Sequence, residues 1–333
     1  MQKSKISPNA QVGRLQRVFQ HGDRPWQGLL ILISALAIIL MLTIGGMLWV
    51  SSAGSRTTFG LSFLVPTANP NWDPVNDHFQ AWPFLYGTLL TSLVAILLAL
   101  PIGVGIAIFL AELCPAWLRT PLTWLVELLA AIPSVVYGLW GIFVFLPRVV
   151  APIGVFLGGT LGKVPILGSL FTGPIPASGA SRLAASLILT IMIIPTIAAV
   201  SRDVFLAIPV SQREASKALG STEWETIWQV LIPYGKSGIL GAVILGLGRA
   251  LGETMAVTMV IGNSIQSGIS LLDAGYSMAS IIANEFAEAV SPLHTAALIE
   301  IGLILFIITL LLNIIARFLV WQVARQTPQE ARV

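Results

Sequence analysis

The stretch Glu214-Ala-Ser-Lys-Ala-Leu-Gly-Ser-Thr-Glu-Trp-Glu-Thr-Ile-Trp-Gln-Val-Leu-Ile-Pro233 is a polar, helix-prone segment between two strongly apolar ones. We call residues 214–233 the polar segment. Its neighbours, residues 183–201 and 237–262, are each long and apolar enough to cross a bilayer. Because polar side chains are costly inside the hydrocarbon, the polar segment must do its work outside it.

The composition indicates an integral membrane protein: of 333 residues, 56% are apolar and only 10% are charged, with a mean hydropathy of +0.87. None of the apolar stretches alternates in polarity as the strands of a membrane barrel do. The sequence therefore predicts an all-α, polytopic fold with prolines inside spans two, three and four (Pro101, Pro133 and Pro195). The six expected spans are residues 28–50, 83–111, 121–146, 183–201, 237–262 and 293–316.

The distribution of basic residues predicts the orientation of the chain. Thirteen of the 18 lysines and arginines fall on the same side of these spans, and cytoplasmic loops retain such residues. We therefore expect a multi-pass protein of the inner (plasma) membrane with both termini in the cytoplasm. The expected divisions are a cytoplasmic segment 1–26, a transmembrane domain 27–322 with a cytoplasmic loop 202–236, and a tail 323–333. The net charge of +3 reflects this excess of lysine and arginine on the cytoplasmic side of the membrane, so no nucleic-acid partner is expected.

The polar segment itself is predicted to form two short helices. Gly220 interrupts a run of good helix formers and Pro233 ends it. Apolar side chains along the run are expected to share one side of the pair: Leu219, Ile227, Val230 and Leu231. An exposed, rigid hairpin of this kind suits docking into a groove on another protein.

The spacing within the polar segment resembles the cytoplasmic signature of the permease subunits of prokaryotic ABC importers. The matching positions are Glu214-Ala215-Ser216, Gly220 and Val230-Leu231-Ile232-Pro233. The spacing from Glu to Pro is kept, whereas Ser216, Val230 and Ile232 replace the residues usual in that family. The resemblance implies a type I permease fold and a short coupling helix that inserts into a cleft of a separate ATPase.

Two charged residues, Arg249 and Glu253, lie within the fifth predicted span. Being four apart on a helix, they would share a face and could form an ion pair. A charge at mid-membrane costs about 2.5–3.5 kcal/mol on insertion scales, so a structural or functional role must offset the cost of these two residues. Either it only pins helix packing, or Arg249 binds an anionic substrate with Glu253 as its exchangeable partner. Gly248 and Gly252 would allow another helix to approach closely.

Glu127 in the third predicted span and Glu300 in the sixth are further intramembrane carboxylates. Each is expected to face inward, either in a structural hydrogen bond or on the substrate pathway. On the pathway, their repulsion would help an anion to leave Arg249.

Residues 246–257 (Gly-Leu-Gly-Arg-Ala-Leu-Gly-Glu-Thr-Met-Ala-Val) and 131–141 (Ala-Ile-Pro-Ser-Val-Val-Tyr-Gly-Leu-Trp-Gly) resemble the phosphate-specific permeases. The first stretch is closer to the PstC subunits of that family than to their PstA partners. The resemblance implies an importer of inorganic phosphate in which a PstC-like and a PstA-like permease form the path. Two PstB-like ATPases and a periplasmic or extracellular phosphate-binding protein would complete it.

Other functions remain open at this point. The substrate could be another oxyanion, molybdate or sulfate, or the chain could be a secondary anion transporter. An enzyme is not indicated, because the chain lacks a nucleotide-binding motif, a nucleophile motif and a metal-ligand cluster. No catalytic residue, cofactor or metal is therefore expected, and the three histidines, His21, His78 and His294, are expected to be solvated loop residues.

Overall fold

The structure is a computed structural model that describes residues 23–65, 72–165, 167–173, 175–265 and 268–325, without the side chains of residues 23–25, 167, 324 and 325. His21 and most of the predicted terminal segments, 1–26 and 323–333, lie outside this description. Six helices in the described residues are long and apolar enough to cross a membrane. Extended pairing in the same residues is limited to two isolated bridges, Asp73 with His78 and Gly262 with Gly275. The all-α prediction with six spanning helices is confirmed.

The first helix, α1 (Asp23–Ser51), belongs to a unit of its own, Met1–Ser51. Its most apolar stretch has a mean hydropathy of 2.7. Every side chain described in α1 is partly or fully exposed, including Ile31, Leu42 and Val50. Such a surface is stable in contact with lipid and unstable in water.

The second unit, Ser52–Val333, contains the remaining helices. They follow in the order α2 (Ala53–Phe59), α3 (Trp82–Ile108), α4 (Ala116–Ala131), α5 (Ser134–Trp140), α6 (Ala151–Thr160), α7 (Arg182–Leu206), α8 (Val210–Ala218), α9 (Glu223–Thr226), α10 (Ile232–Gly252), α11 (Met255–Val260), α12 (Met278–Glu285) and α13 (Pro292–Arg325). Three π-helical stretches lengthen or join them: Phe109–Leu113 after α3, Gly141–Val150 between α5 and α6, and Ile227–Leu231 between α9 and α10. Short 3₁₀ turns cover Gly60–Phe63, Leu161–Lys163 and Leu167–Leu170.

Helix α7 lies at the centre of the second unit, between α3 and α10. A Cβ at Gly103 of α3 would lie 2.8 Å from Cγ2 of Ile197, and one at Gly246 of α10 would lie 3.3 Å from the same side chain. Ala95 and Ala99 of α3 are fully buried in the same core. Small residues thus let both neighbouring helices approach α7 closely, as is usual where helices associate in a membrane.

The third predicted span, residues 121–146, is not one continuous helix in the structure. Helix α4 ends at Ala131, and the backbone is extended at Ile132 and Pro133. Proline lacks an N–H and disfavours helical geometry in the residue before it, so the chain breaks here instead of kinking. The helix that is long enough to span runs over Ser134–Lys163. Pro101 and Pro195, by contrast, lie inside α3 and α7 without ending either helix.

The fifth predicted span, residues 237–262, is not one continuous helix in the structure. The chain is helical from Glu223 to Gly252, and at Glu253 the backbone turns to φ −69° and ψ 122°. Helix then resumes as α11. The span is therefore interrupted at the residue that the sequence placed on a continuous helix face.

Candidate functional site

The polar hairpin, which is α8 with α9 and the turn between them (residues 210–226), has the two-helix form predicted from sequence. Gly220 takes φ +90°, a conformation that glycine adopts without the strain a side chain would introduce. Its N–H donates to the carbonyl of Lys217 at 3.0 Å, and the N–H of Ser221 donates to that of Ser216 at 3.3 Å. This pair of bonds is the Schellman motif, which ends a helix at a left-handed residue.

A capping box begins α9. Oγ1 of Thr222 accepts from the N–H of Glu225 at 3.2 Å, while Oε2 of Glu225 accepts from the N–H of Thr222 at 2.8 Å. The Thr-x-x-Glu spacing is a local signal for a helix start. The ends of both short helices are therefore determined by residues within the hairpin.

Arg213 attaches the hairpin to the turn that follows α3 and to the end of α7. Its Nη2 and Nε lie 2.9 and 3.1 Å from Oε1 of Glu112, in the π-helical turn that follows α3. The same guanidinium donates to the carbonyls of Ile208 at 2.9 Å and Phe205 at 2.6 Å. Sequence reasoning missed this anchor, because Arg213 and Glu112 are 101 residues apart.

The predicted apolar side of the hairpin is wrong in its membership. Ile227 and Leu231 are buried beside Phe205, whereas Leu219 is 89% exposed. Trp224 is also exposed. Two different surfaces result, one packed on this chain and one free for a partner.

The predicted coupling residues are divided between these surfaces. Glu214, Ala215 and Gly220 are exposed, while Ser216 is buried and its Oγ lies 3.1 Å from Oγ1 of Thr226. Pro233 does not end the helical run. It stands in the first turn of α10, where a missing N–H is tolerated.

Arg249 and Glu253 do not share a helix face. Because α10 ends at Gly252, Oε1 of Glu253 instead accepts a hydrogen bond from the N–H of Ala256 at 3.2 Å, at the start of α11. Nη1 of Arg249 donates to Oγ1 of Thr196 on α7 at 3.5 Å. In the part of the chain that the structure describes, the two charged groups form no ion pair with each other.

The polar neighbours of Arg249 lie on α5 and α7. Tyr137 of α5 lies within the field of its charge and donates its hydroxyl proton to the carbonyl of Leu129 at 2.9 Å. At the neighbouring Gly248 and Gly252, no described atom beyond their own stretch of helix lies within 4 Å of where a Cβ would stand. The close approach predicted for these glycines is not used by the described helices.

Glu127 does not lie in a helix long enough to span the membrane. It belongs to α4, a 16-residue helix without a buried residue, and its side chain is 53% exposed. Its Oε1 lies 3.5 Å from Nη2 of Arg202 on α7. The structure thus pairs Glu127 with an arginine that the sequence had marked only as a topological signal.

Glu300 is buried in α13, with 6% of its surface exposed. Its neighbours are Ser55 and Arg56 of α2. The structure does not bring Glu300 together with Arg249 through any hydrogen bond or ion pair between described residues. Its place on a substrate pathway stays a prediction.

Arg182, at the start of α7, is a structural residue that the sequence did not reveal. Only 1% of its surface is exposed, and its Nη1 donates to the carbonyls of Gly268 at 2.6 Å and Ser270 at 2.9 Å. The carboxylate of Asp273 lies 3.9 Å away. Burial raises the pKa of Asp273, and the charge of Arg182 opposes that rise. The guanidinium therefore holds the loop of residues 268–273 against α7.

His294 is not the solvated loop residue that was predicted. It is 5% exposed and stacks on Phe79 with ring centroids 5.1 Å apart. Its Nε2 lies 3.0 Å from Oε2 of Glu285, which also accepts from Nε1 of Trp72 at 2.7 Å. Across the described residues, no three His, Cys, Asp or Glu side chains are placed to hold a metal ion.

Comparisons with known proteins agree with this arrangement. Residues 103–325 match the family described as "Binding-protein-dependent transport system inner membrane component". The chain is 48% identical over 272 residues to the phosphate transport system permease protein PstC of Pasteurella multocida, with 82% of this chain and 83% of that protein covered. It is 43% identical over 303 residues to PstC of Xylella fastidiosa Temecula1, with 89% and 90% covered.

Solved structures share the fold at low sequence identity. A bacterial alginate ABC transporter, solved with a periplasmic protein bound to an alginate pentasaccharide, matches with a TM-score of 0.58 at 15% identity, covering 90% of this chain and 96% of that one. The MetNI methionine ABC transporter in an inward-facing conformation matches with a TM-score of 0.52 at 19% identity, covering 72% and 93%. These confirm the ABC permease fold. Identity, coverage and the matched profile together show that the chain belongs to the binding-protein-dependent inner membrane transport components and, among them, to the PstC permeases of phosphate transport systems.

Proposed function

We propose that this chain is one of two membrane permeases in an ATP-driven importer of inorganic phosphate. The observation that carries the proposal is Arg249, a half-buried guanidinium at the point where the fifth span is interrupted. It lies in a chain that is 48% identical to a PstC permease. A permanently charged group is retained in a spanning helix only where function or pairing offsets its cost.

The environment of Arg249 suits transient capture of an anion. Its contact with Thr196, at 3.5 Å, is long for a hydrogen bond, and no ion pair to it exists among the described carboxylates. A planar guanidinium offers paired N–H donors that match the oxygens of phosphate. Arg249 is thus our candidate for a substrate-binding residue, and Glu253 is a group that holds the break by capping α11.

A second permease would complete the path. Gly248 and Gly252 flank Arg249 and leave space that no described residue of this chain fills. Small residues at such spacing let a neighbouring helix approach closely in a membrane. We place a PstA-like permease on this surface, so that Arg249 would lie beside the boundary between the two chains.

The polar hairpin is the proposed contact with ATPase subunits. Its exposed face offers Glu214, Ala215, Leu219 and Trp224, and its inner side is bonded to Glu112 through Arg213. The chain continues without a helix break from Glu223 to Gly252. Movement of two PstB-like ATPases could therefore act through this rigid connection on the end of α10.

This assignment also gives the orientation and the partners. The hairpin and both termini would be cytoplasmic, and a phosphate-binding protein would dock on the opposite face of the inner membrane. ATP hydrolysis would be supplied by the partner subunits, since the sequence carries no nucleotide-binding motif. The chain would have no catalytic residue of its own.

Reconstituted vesicles test the proposal. The chain is assembled with its second permease and ATPases, ATP is enclosed, and purified binding protein is added outside with labelled phosphate, sulfate or molybdate. We expect uptake of phosphate that requires both ATP and the binding protein. A preference for sulfate or molybdate would assign a different oxyanion, and uptake that persists without ATP would indicate a secondary transporter.

A further inference from the structure

Arg202, near the end of α7, is largely buried, like Arg182 at the start of the same helix. Helix α7 is also the helix that Arg249 contacts. The side chain of Arg202 is 12% exposed. Nε and Nη2 donate to Oδ1 of the adjacent Asp203 at 3.0 and 2.8 Å, and Nη2 lies 3.5 Å from Oε1 of Glu127. Its Nη1 is buried and has no hydrogen-bond partner among the described residues. A buried charged donor without a partner is costly, so an acceptor brought within reach of this atom would remove that cost.

Arg249 of α10 contacts α7, and Arg202 is part of α7. Arg249 contacts that helix at Thr196, and Arg202 is six residues further on, about 9 Å along the axis at the usual rise per residue. This direction leads away from Arg182 and toward the end of α7 that precedes the polar hairpin. Arg202 therefore lies nearer to that end of α7 than the point where Arg249 contacts the helix.

Glu127 occupies the position of a competing anion. Its carboxylate is 53% exposed and touches Arg202 through a single contact at 3.5 Å, and such exposed pairs contribute little to stability. Glu127 also lines a surface cavity of about 370 Å³ with Trp124 and Leu128. The cavity therefore adjoins the Glu127 side of the pair, and an oxyanion that displaced Glu127 would offer the guanidinium more oxygens than the one carboxylate oxygen it now contacts.

We propose that Arg202 is a second binding residue for the transported anion and that Glu127 is the group that the anion displaces from it. This inference rests on the proposed function. Phosphate would pass from Arg249 to Arg202, and the return of Glu127 to Arg202 would favour its release. Because Arg202 lies at the exit end of this route, phosphate already inside the cell would reach it from the cytoplasm.

The test uses the assembled importer in vesicles loaded with ATP and increasing unlabelled phosphate. The measured quantity is the internal phosphate concentration that halves the initial rate of labelled uptake. In Arg202→Gln this concentration should rise about tenfold, the loss expected for a hydrogen bond to a charged group. In Glu127→Gln it should fall, because the competitor is gone. Arg202→Lys should lie between wild type and Arg202→Gln.

Matched controls are Arg148→Gln and Glu288→Gln, which remove exposed charges elsewhere on the chain and should leave the half-inhibiting concentration unchanged. If the ion pair only holds α4 to α7, both Arg202→Gln and Glu127→Gln lose the same contact and shift in the same direction. Such a result, or no shift in Arg202→Gln, overturns the inference while wild-type import of phosphate still supports the proposed function. A wild-type importer that carries no phosphate overturns both.

Discussion

The polar hairpin and the break at Glu253 both interrupt a helix, but they do so for different physical reasons. The hairpin ends and restarts through local signals, the left-handed Gly220 and the capping box of Thr222 with Glu225. At Glu253 no proline stands in the sequence 249–257, yet the helix stops. The local sequence determines the first interruption, whereas packing elsewhere in the fold determines the second.

The packing at the break involves two glycines in the stretch around α5. A Cβ at Gly138 would lie 2.5 Å from Sδ of Met259, and one at Gly141 would lie 2.9 Å from Cγ1 of Val260. Helix α11 is therefore seated directly on the backbone of this stretch. Keeping that contact requires α11 to depart from the line of α10, and Glu253 satisfies the exposed N–H of Ala256 that results.

The largest effect is expected for Arg249→Gln, which removes the charge at the break. Phosphate uptake by the assembled importer should fall at least about 30-fold, because loss of one partner of a desolvated charge contact costs about 2 kcal/mol or more. Uptake is measured in vesicles, with Arg148→Gln as the control for an exposed arginine. Normal uptake in a normally assembled Arg249→Gln importer would remove the substrate-binding role.

The next effect tests the hairpin through its anchor. Arg213→Leu breaks the contacts to Glu112, Ile208 and Phe205 and should lower uptake per ATP hydrolysed about tenfold, since breaking a partly buried ion pair disturbs the position of α8. Lys217→Gln breaks only an exposed 3.3 Å pair with Glu223, and we expect almost no change. Equal effects of the two substitutions would show that the anchor does not transmit movement.

A smaller effect is expected for Gly220→Ala, which leaves all contacts in place but strains the turn. A left-handed conformation costs a residue with a side chain about 1 kcal/mol or more, so exchange of the Ser221 amide should accelerate about fivefold. Hydrogen exchange on the purified chain measures this. Gly241→Ala, at a helical position with open space around it, is the control and should leave the Ser221 amide unchanged.

The hairpin could be predicted from the sequence, whereas the break at Glu253 could not. Hydropathy was sufficient for the number of spans, and the run of helix formers interrupted by Gly220 was sufficient for the hairpin, because both depend on neighbouring residues. The ion pair that the spacing of Arg249 and Glu253 allowed is not formed between them, since a four-residue spacing brings side chains together only if the helix continues. It does not continue, and the packing of Met259 on Gly138, which accompanies the break, joins residues far apart in sequence.

The same limit applies to the other arginines. Arg182, Arg202 and Arg213 were visible only as signals of topology. Their partners, Asp273, Glu127 and Glu112, are each on a different element. A single sequence does not show which distant carboxylate an arginine will meet, so the anchors and the candidate exit residue emerged only from the structure.

The smallest effect is expected at Asp273, whose carboxylate lies 3.9 Å from the buried Arg182. Burial raises the pKa of its carboxyl above the ordinary value, with the charge of Arg182 opposing. At a pH between the ordinary pKa of the unfolded chain and the raised pKa of the folded loop, Asp273 holds a proton in the folded loop that it has released in the unfolded chain. The resulting stabilisation is present below the ordinary pKa and is lost as the pH rises through the folded one.

Asp273→Asn should therefore abolish a pH dependence that wild type shows. The amides of Arg182 and Leu183 report on the loop, because they donate to the carbonyls of residues 273 and 271 at 3.0 and 2.7 Å. The ratio of wild-type to variant protection should fall as the pH rises from about 3 to about 6. The Met278 amide, bonded to Thr88 instead, should keep a constant ratio. A constant ratio at Arg182 and Leu183 as well would mean that Asp273 is as acidic in the folded loop as in the unfolded chain, and that the Arg182 contact fully offsets its burial.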